Sequence, residues 1–315
     1  MRVLPIICAF PFTWFLPVAY GYAQTPSMDR PDGALAHGFL IPATATMVRA
    51  WDIPRSPYQF PAADTEASAQ VRHGFDLFTR TFQALPHSAC NTVTCSNCHL
   101  NAGQRERALP LTGVAIRYPE FNRRAGRMFT VEDRVTECLR RSIDARPDTA
   151  AQTGTAAALA AEVADLTAYV RWLARGYRTG DPLPWRSTNT IPAEHQLPVE
   201  RLDTAEGRRL YGEKCTSCHG WDGQGVQIGD KKAGPLWGPE SWNDGAGAAR
   251  IYTLAGFIRY TMPYLDPGSL TDAEAQQIAA YIDTRSRPIY RGKSLDYPDG
   301  RVPPDALYYF SRGGK

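Results

Sequence analysis

At 315 residues, 43% hydrophobic and 21% charged, the chain has the make-up of an ordinary globular protein and length enough for two domains. Its 35 basic residues against 32 acidic ones leave a net charge of +3, which excludes the strong basic field of a nucleic-acid binder. Beyond its first stretch no apolar run is long enough for a membrane span.

That first stretch, MRVLPIICAFPFTWFLPVAYGYAQ, has Arg2, an apolar run and small residues ahead of position 24. It reads as a secretory signal peptide, residues 1–23, cut after Ala23. Pro5, Pro11 and Pro17 break the run and argue against a permanent anchor. The mature chain is expected in the periplasm, without a membrane span and as a monomer. Cys8 leaves with the signal, so Cys90, Cys95, Cys98, Cys138, Cys215 and Cys218 remain. Residues 24–62 form a Pro-rich N-terminal arm with scattered aromatics.

The first domain is placed at 63–178. It opens on ASAQVRHGFDLFTRTF, a helix whose Gly74, Leu77 and Phe78 recur further on, and then reaches Cys95-Ser-Asn-Cys98-His99. This spacing fits c-type haem attachment: two thiols meet the two vinyl groups and the next histidine falls under the iron. A zinc site is the plainer alternative for paired cysteines. Next comes TVEDRVTECLRRS, where Thr130 and Asp133 cap a helix whose apolar stripe is Val131, Val135, Cys138 and Leu139. Arg134 lies one turn before Cys138 and Ser142 one turn after it. A cationic neighbour favours the thiolate that both metal ligation and nucleophilic attack need. Two readings of Cys138 stand side by side: a haem ligand with its own chemistry, or half of a disulfide with Cys90 in an oxidising compartment. The candidates for the sixth ligand of this haem are His73, His87, Met128 and Cys138. The domain closes on EVADLTAYVRWLARG, with Leu166, Tyr169, Val170 and Leu173 on one stripe.

Residues 179–203, rich in Pro, Thr and Asn and without periodicity, read as an ordered linker over the surface. The second domain, 204–288, repeats the plan. DTAEGRRLYGEKC sets Gly207, Leu210 and Tyr211 at the positions of Gly74, Leu77 and Phe78, ahead of Cys215-Thr-Ser-Cys218-His219. The segment 233–247, AGPLWGPESWNDGAG, suits a loop over the haem edge from which a backbone carbonyl can orient His219. Met262, followed by a proline and alone among methionines in this domain, is the expected thioether ligand, a core position being the alternative. LTDAEAQQIAAYID then closes the unit, with Thr271 and Glu274 as a capping box. Residues 289–315 form an irregular C-terminal tail. The fold class is all-α: two tandem cytochrome c domains, each holding one covalent haem c.

At these residues the sequence resembles the thiosulfate dehydrogenases, dihaem enzymes that join two thiosulfates into tetrathionate. The likeness runs from about Val71 to Pro288, carried by TCSNCHLNAG, RRAGRMFTVEDRVTECLRRS and GPLWGPESWNDGAGAARIYTLAGFIRYTMP. The resemblance implies His99 and Cys138 as ligands of a catalytic haem, His219 on an electron-transfer haem, and Arg124, Arg134 and Ser142 around an anion pocket. Some members carry a lysine directly before the distal methionine; this chain has Thr261, so Met262 is expected to hold in both oxidation states. Cys90 departs from the pattern. The activity implied is thiosulfate oxidation to tetrathionate or its reverse, with electrons leaving to an external acceptor such as a cytochrome c. A dihaem carrier without substrate chemistry and a sulfur-carrier cytochrome of the SoxA type are the rival classes. In the latter the special cysteine generally follows the last haem motif, whereas Cys138 lies between the two.

Overall fold

A glycine sets the central joint of each half of the chain. In the computed structural model, which describes residues 66–85, 89–145, 159–228 and 231–310, six helices are longer than one turn: α1 Glu66–Thr79, α2 Val131–Arg141, α3 Ala160–Trp172, α4 Thr204–Lys214, α5 Ile251–Thr261 and α6 Asp272–Asp283. The signal peptide, the N-terminal arm and His87 lie outside the described residues. α1 crosses α3 at Gly74, where a Cβ would stand 2.0 Å from the Asp165 carbonyl oxygen. α4 crosses α6 at Gly207, where a Cβ would stand 2.0 Å from the Gln277 carbonyl oxygen. In both, the backbones touch because no side chain intervenes. The following apolar pair then enters the core: Leu77 and Phe78 in one half, Leu210 and Tyr211 in the other. Phe78 meets Tyr169 at 5.4 Å between ring centroids, and Tyr211 meets Tyr281 at the same 5.4 Å. The repeat seen in sequence is thus a repeat in packing, with two separate apolar cores.

Replacing Gly207 with alanine should force α4 and α6 apart at a backbone contact that cannot yield. The expected loss is about 2–3 kcal/mol of stability in chemical denaturation. Gly247→Ala, where an added Cβ meets nothing within 4 Å, should be near neutral.

The caps form as the sequence indicates. Thr130 Oγ1 accepts from Asp133 N while Asp133 returns a bond to Thr130 N at 2.9 Å, opening α2; Thr271 and Glu274 do the same for α6. Two antiparallel pairings, β1 Glu120–Asn122 with β2 Arg127–Phe129 and β3 Gln227–Ile228 with β4 Lys231–Lys232, are too short for alternation to announce them.

The segment 179–203 has two short 3-10 turns and is mostly exposed or half-buried, with two apolar anchors. Trp185 is buried, donating from Nε1 to Thr112 O at 2.9 Å, and Ile191 enters the second core. Their apolar area, scattered without a period, outweighs the polar residues around them. The tail is fastened by ion pairs: Asp296 to Arg141 and Asp305 to Arg250, both at 2.7 Å. Among the described residues no helix is long and apolar enough to cross a membrane.

Candidate active site

Each Cys-x-x-Cys-His motif folds as a single helical turn, Cys95–Cys98 and Thr216–His219. Thr94 and Asn97 make a capping box on the first, with Thr94 N donating to Asn97 Oδ1 at 2.7 Å. Cys95, Cys98 and His99 keep accessible surface yet are closely surrounded by protein. Burial pushes Cys95 up to about 12 and Cys98 to about 11, and brings His99 down to about 4. In the second motif burial pushes Cys215 up to about 12 and lowers His219. Both imidazoles are therefore neutral at neutral pH, as a metal ligand must be.

Each ring is also oriented. His99 Nδ1 meets Leu109 O at 2.6 Å and His219 Nδ1 meets Gly234 O at 3.2 Å, which turns Nε2 to the open side. Gly234 lies in the loop expected to supply such a carbonyl. Leu109 had no sequence signal, because the group used is backbone. Among the described residues no three Cys, His, Asp or Glu side chains converge as a metal cluster. Neutral oriented histidines, aromatic walls such as Phe78 at 6.0 Å from His99, and the paired thiols fit haem c at both motifs.

Cys138 lies on α2, half-buried, with a free thiol. It lies within electrostatic reach of Cys95, Cys98, Tyr118 and Arg134, and Arg134 within reach of His99. His99, Cys138, Arg134 and Tyr118 are therefore neighbours in the first domain. The Arg134 guanidinium is held above its ordinary value, first by Cys138, with burial opposing. Its side chain is exposed. The other ligand candidates lie elsewhere. His73 is exposed and pairs with Asp165 at 2.5 Å, while Met128 on β2 is 52% exposed. No disulfide joins Cys138 to the exposed Cys90.

Of the residues assigned to the anion pocket, Arg134 faces Cys138 and Ser142 ends the same helix, its N–H donating to Cys138 O at 2.8 Å. Arg124 has other partners: it donates to Gly245 O and lies 5.9 Å from the Tyr297 ring centroid. Tyr118 was not anticipated. It lies well outside the α2 segment, and only tertiary structure brings it to Arg134. Arg141, one turn beyond Cys138, fixes the helix itself, pairing with Asp296 at 2.7 Å, with Glu137 at 2.6 Å and with the Tyr290 face at 4.1 Å.

Met262 caps α5, half-buried against the second core. Between the motifs runs the 233–247 loop. Asn243 donates to Arg140 O at 2.8 Å, Asn91 bridges Ser142 O and Ser241 O, and Gly234 lies where a Cβ would be 3.0 Å from the Asn97 side chain.

Residues 86–179 match the model described as "SoxA/TsdA, cytochrome c domain", and residues 202–282 match "Cytochrome C oxidase, cbb3-type, subunit III". The thiosulfate dehydrogenase of Allochromatium vinosum is 32% identical over 81% of this chain and 93% of its own, and that of Psychrobacter arcticus is 32% identical over 80% and 73%. The thiosulfate dehydrogenase of Stutzerimonas stutzeri is 36% identical over 69% and 67%. The chain belongs to the thiosulfate dehydrogenase family. The solved thiosulfate dehydrogenase (TsdBA) of Marichromatium purpuratum superposes with a TM-score of 0.66 at 33% identity, over 82% of this chain; the chain spans 52% of that longer one. Membership of the thiosulfate dehydrogenase family makes the two halves cytochrome c domains. Cys138, Arg134 and Tyr118 fall inside the SoxA/TsdA match with the first haem motif; the second motif and Met262 fall inside the other.

Proposed function

We propose that the mature protein is a periplasmic dihaem enzyme that oxidises two thiosulfates to tetrathionate, with Cys138 as the sulfur that carries the reaction. The observation behind this is that Arg134 stands within electrostatic reach of both Cys138 and His99. His99 and Cys138 would hold the first haem, and His219 and Met262 the second.

Thiosulfate is a small dianion. Arg134 binds its sulfonate oxygens through charge-assisted bonds, each contributing about 1.5–3 kcal/mol. Burial raises Tyr118 and keeps its phenol protonated, so it adds an O–H donor near Arg134. Arg124 donates to Gly245 O and is given no part in binding the anion. With the anion held, its outer sulfur bonds to the Cys138 thiolate, giving a cysteinyl S-thiosulfonate and releasing two electrons. The outer sulfur of a second thiosulfate attacks the sulfane sulfur of this adduct. Tetrathionate leaves, and the Cys138 thiolate returns as leaving group. Every charge balances without proton transfer. A haem c held at each motif would supply the acceptors for the two electrons, and thiolate donation from Cys138 against thioether donation from Met262 would favour transfer towards the second motif. An external acceptor such as a cytochrome c then removes them.

The isolated holoprotein, given thiosulfate and an artificial one-electron acceptor, should form one tetrathionate for every two acceptors reduced. Absence of tetrathionate would leave a plain electron carrier. Thiosulfate consumption only with added sulfur-binding proteins would indicate the SoxA type.

A further inference from the structure

We infer that Thr261 is a positioning residue for Met262, anchoring the methionine on the loop of the first domain that orients His99. This rests on the proposed ligation of the second haem by Met262.

Thr261 is the last residue of α5 and is 2% exposed. A threonine inside a helix commonly returns its hydroxyl to the carbonyl one turn back. Here Oγ1 instead donates to Arg107 O at 3.0 Å, in the other domain. The acceptor loop is unusual. Arg107 and Leu109 adopt left-handed backbone, φ 62° and 51°, although neither is glycine, and Leu109 precedes Pro110. Such conformations persist where the surroundings over-determine them. Each of the two residues presents a carbonyl with a specific customer: Leu109 O holds His99 Nδ1 and Arg107 O receives Thr261.

Aromatic residues on both sides of Met262 are tied to the same loop. The buried Arg105 lies over the Tyr264 ring at 4.7 Å, and Arg107 lies 5.6 Å from the Tyr260 ring centroid. Met262 itself contributes only its backbone N–H, to Ile258 O at 3.0 Å, before the chain turns extended. The thioether is therefore held from both sides by contacts to the first domain. Thr261 supplies the one hydrogen bond that acts immediately before it.

Removing that hydroxyl takes the donor from a carbonyl at a part-buried contact, a loss that corresponds to about a tenfold shift in an equilibrium. Thr261→Val keeps the shape and lacks the hydroxyl. In the holoprotein it should raise the fraction of oxidised second haem lacking the thioether-to-iron charge-transfer band by about tenfold and lower that haem's potential. Thr261→Ser should restore both. Met262→Ala, the control, should lose the band altogether, and Thr261→Ala judged by the same readouts covers failure of the valine variant to retain haem. Wild-type band and potential in Thr261→Val, with the band lost in Met262→Ala, would overturn the positioning role alone. An intact band in Met262→Ala would overturn the ligation and the positioning with it.

Discussion

Replacing Cys138 with alanine should abolish tetrathionate formation while both haems stay attached and the protein stays folded. The loss in turnover should be on the order of 10³-fold or more, since a covalent route loses its nucleophile and no neighbouring group can replace it. Arg134, Tyr118 and Ser142 lack a sulfur, and His99 is committed through Leu109 O. Stability should change by about 1 kcal/mol or less, because a half-buried thiol on a well-capped helix adds little packing. Cys90→Ala should be close to wild type in both respects, its side chain being exposed at the surface beside Gln83 and Glu240. If the two cysteines were instead partners in a disulfide, both variants would lose stability to the same degree and activity would fall only with it.

Replacing Arg134 with glutamine should lower kcat/KM for thiosulfate by about 100-fold, with KM rising. The guanidinium lies within electrostatic reach of Cys138, and in the proposed mechanism it also holds the dianion, so its charge would serve in binding and in bond formation. Arg140→Gln is the matching control. It lies on the same helix, but its guanidinium reaches Glu137 at 3.4 Å, and a partly exposed pair of that kind contributes little. Steady-state kinetics of the two variants, each with an unchanged haem spectrum, separates a local charge effect from a change in the helix.

Legibility in the sequence followed the range of the forces involved. The haem motifs, the caps at Thr130 and Thr271, and the matched Gly74 and Gly207 are local signals: fixed spacings, side chains that bond three residues away, and a small residue inside a helix. All of them emerge as local structure. The expectation that a carbonyl of 233–247 meets His219 was also legible, because a glycine- and proline-rich loop must place its polar groups somewhere. Leu109 was not, since any residue carries a carbonyl and only the left-handed backbone of the folded loop aims this one. Tyr118 and Arg141 depend on partners from distant segments, and Trp185 and Ile191 are apolar residues without a period. Arg124 was placed by resemblance alone, and its bond to Gly245 O comes from a loop more than a hundred residues away.

The most direct test of the central claim is to trap the bond at Cys138. Fully oxidised holoprotein should be given a single equivalent of thiosulfate without added acceptor, quenched in acid and digested for mass spectrometry. The peptide carrying Cys138 should gain the mass of one thiosulfate as both haems become reduced, and a second equivalent should remove that mass as tetrathionate appears. Tetrathionate formed at the normal rate, with the Cys138 peptide unmodified at every time point, would contradict it.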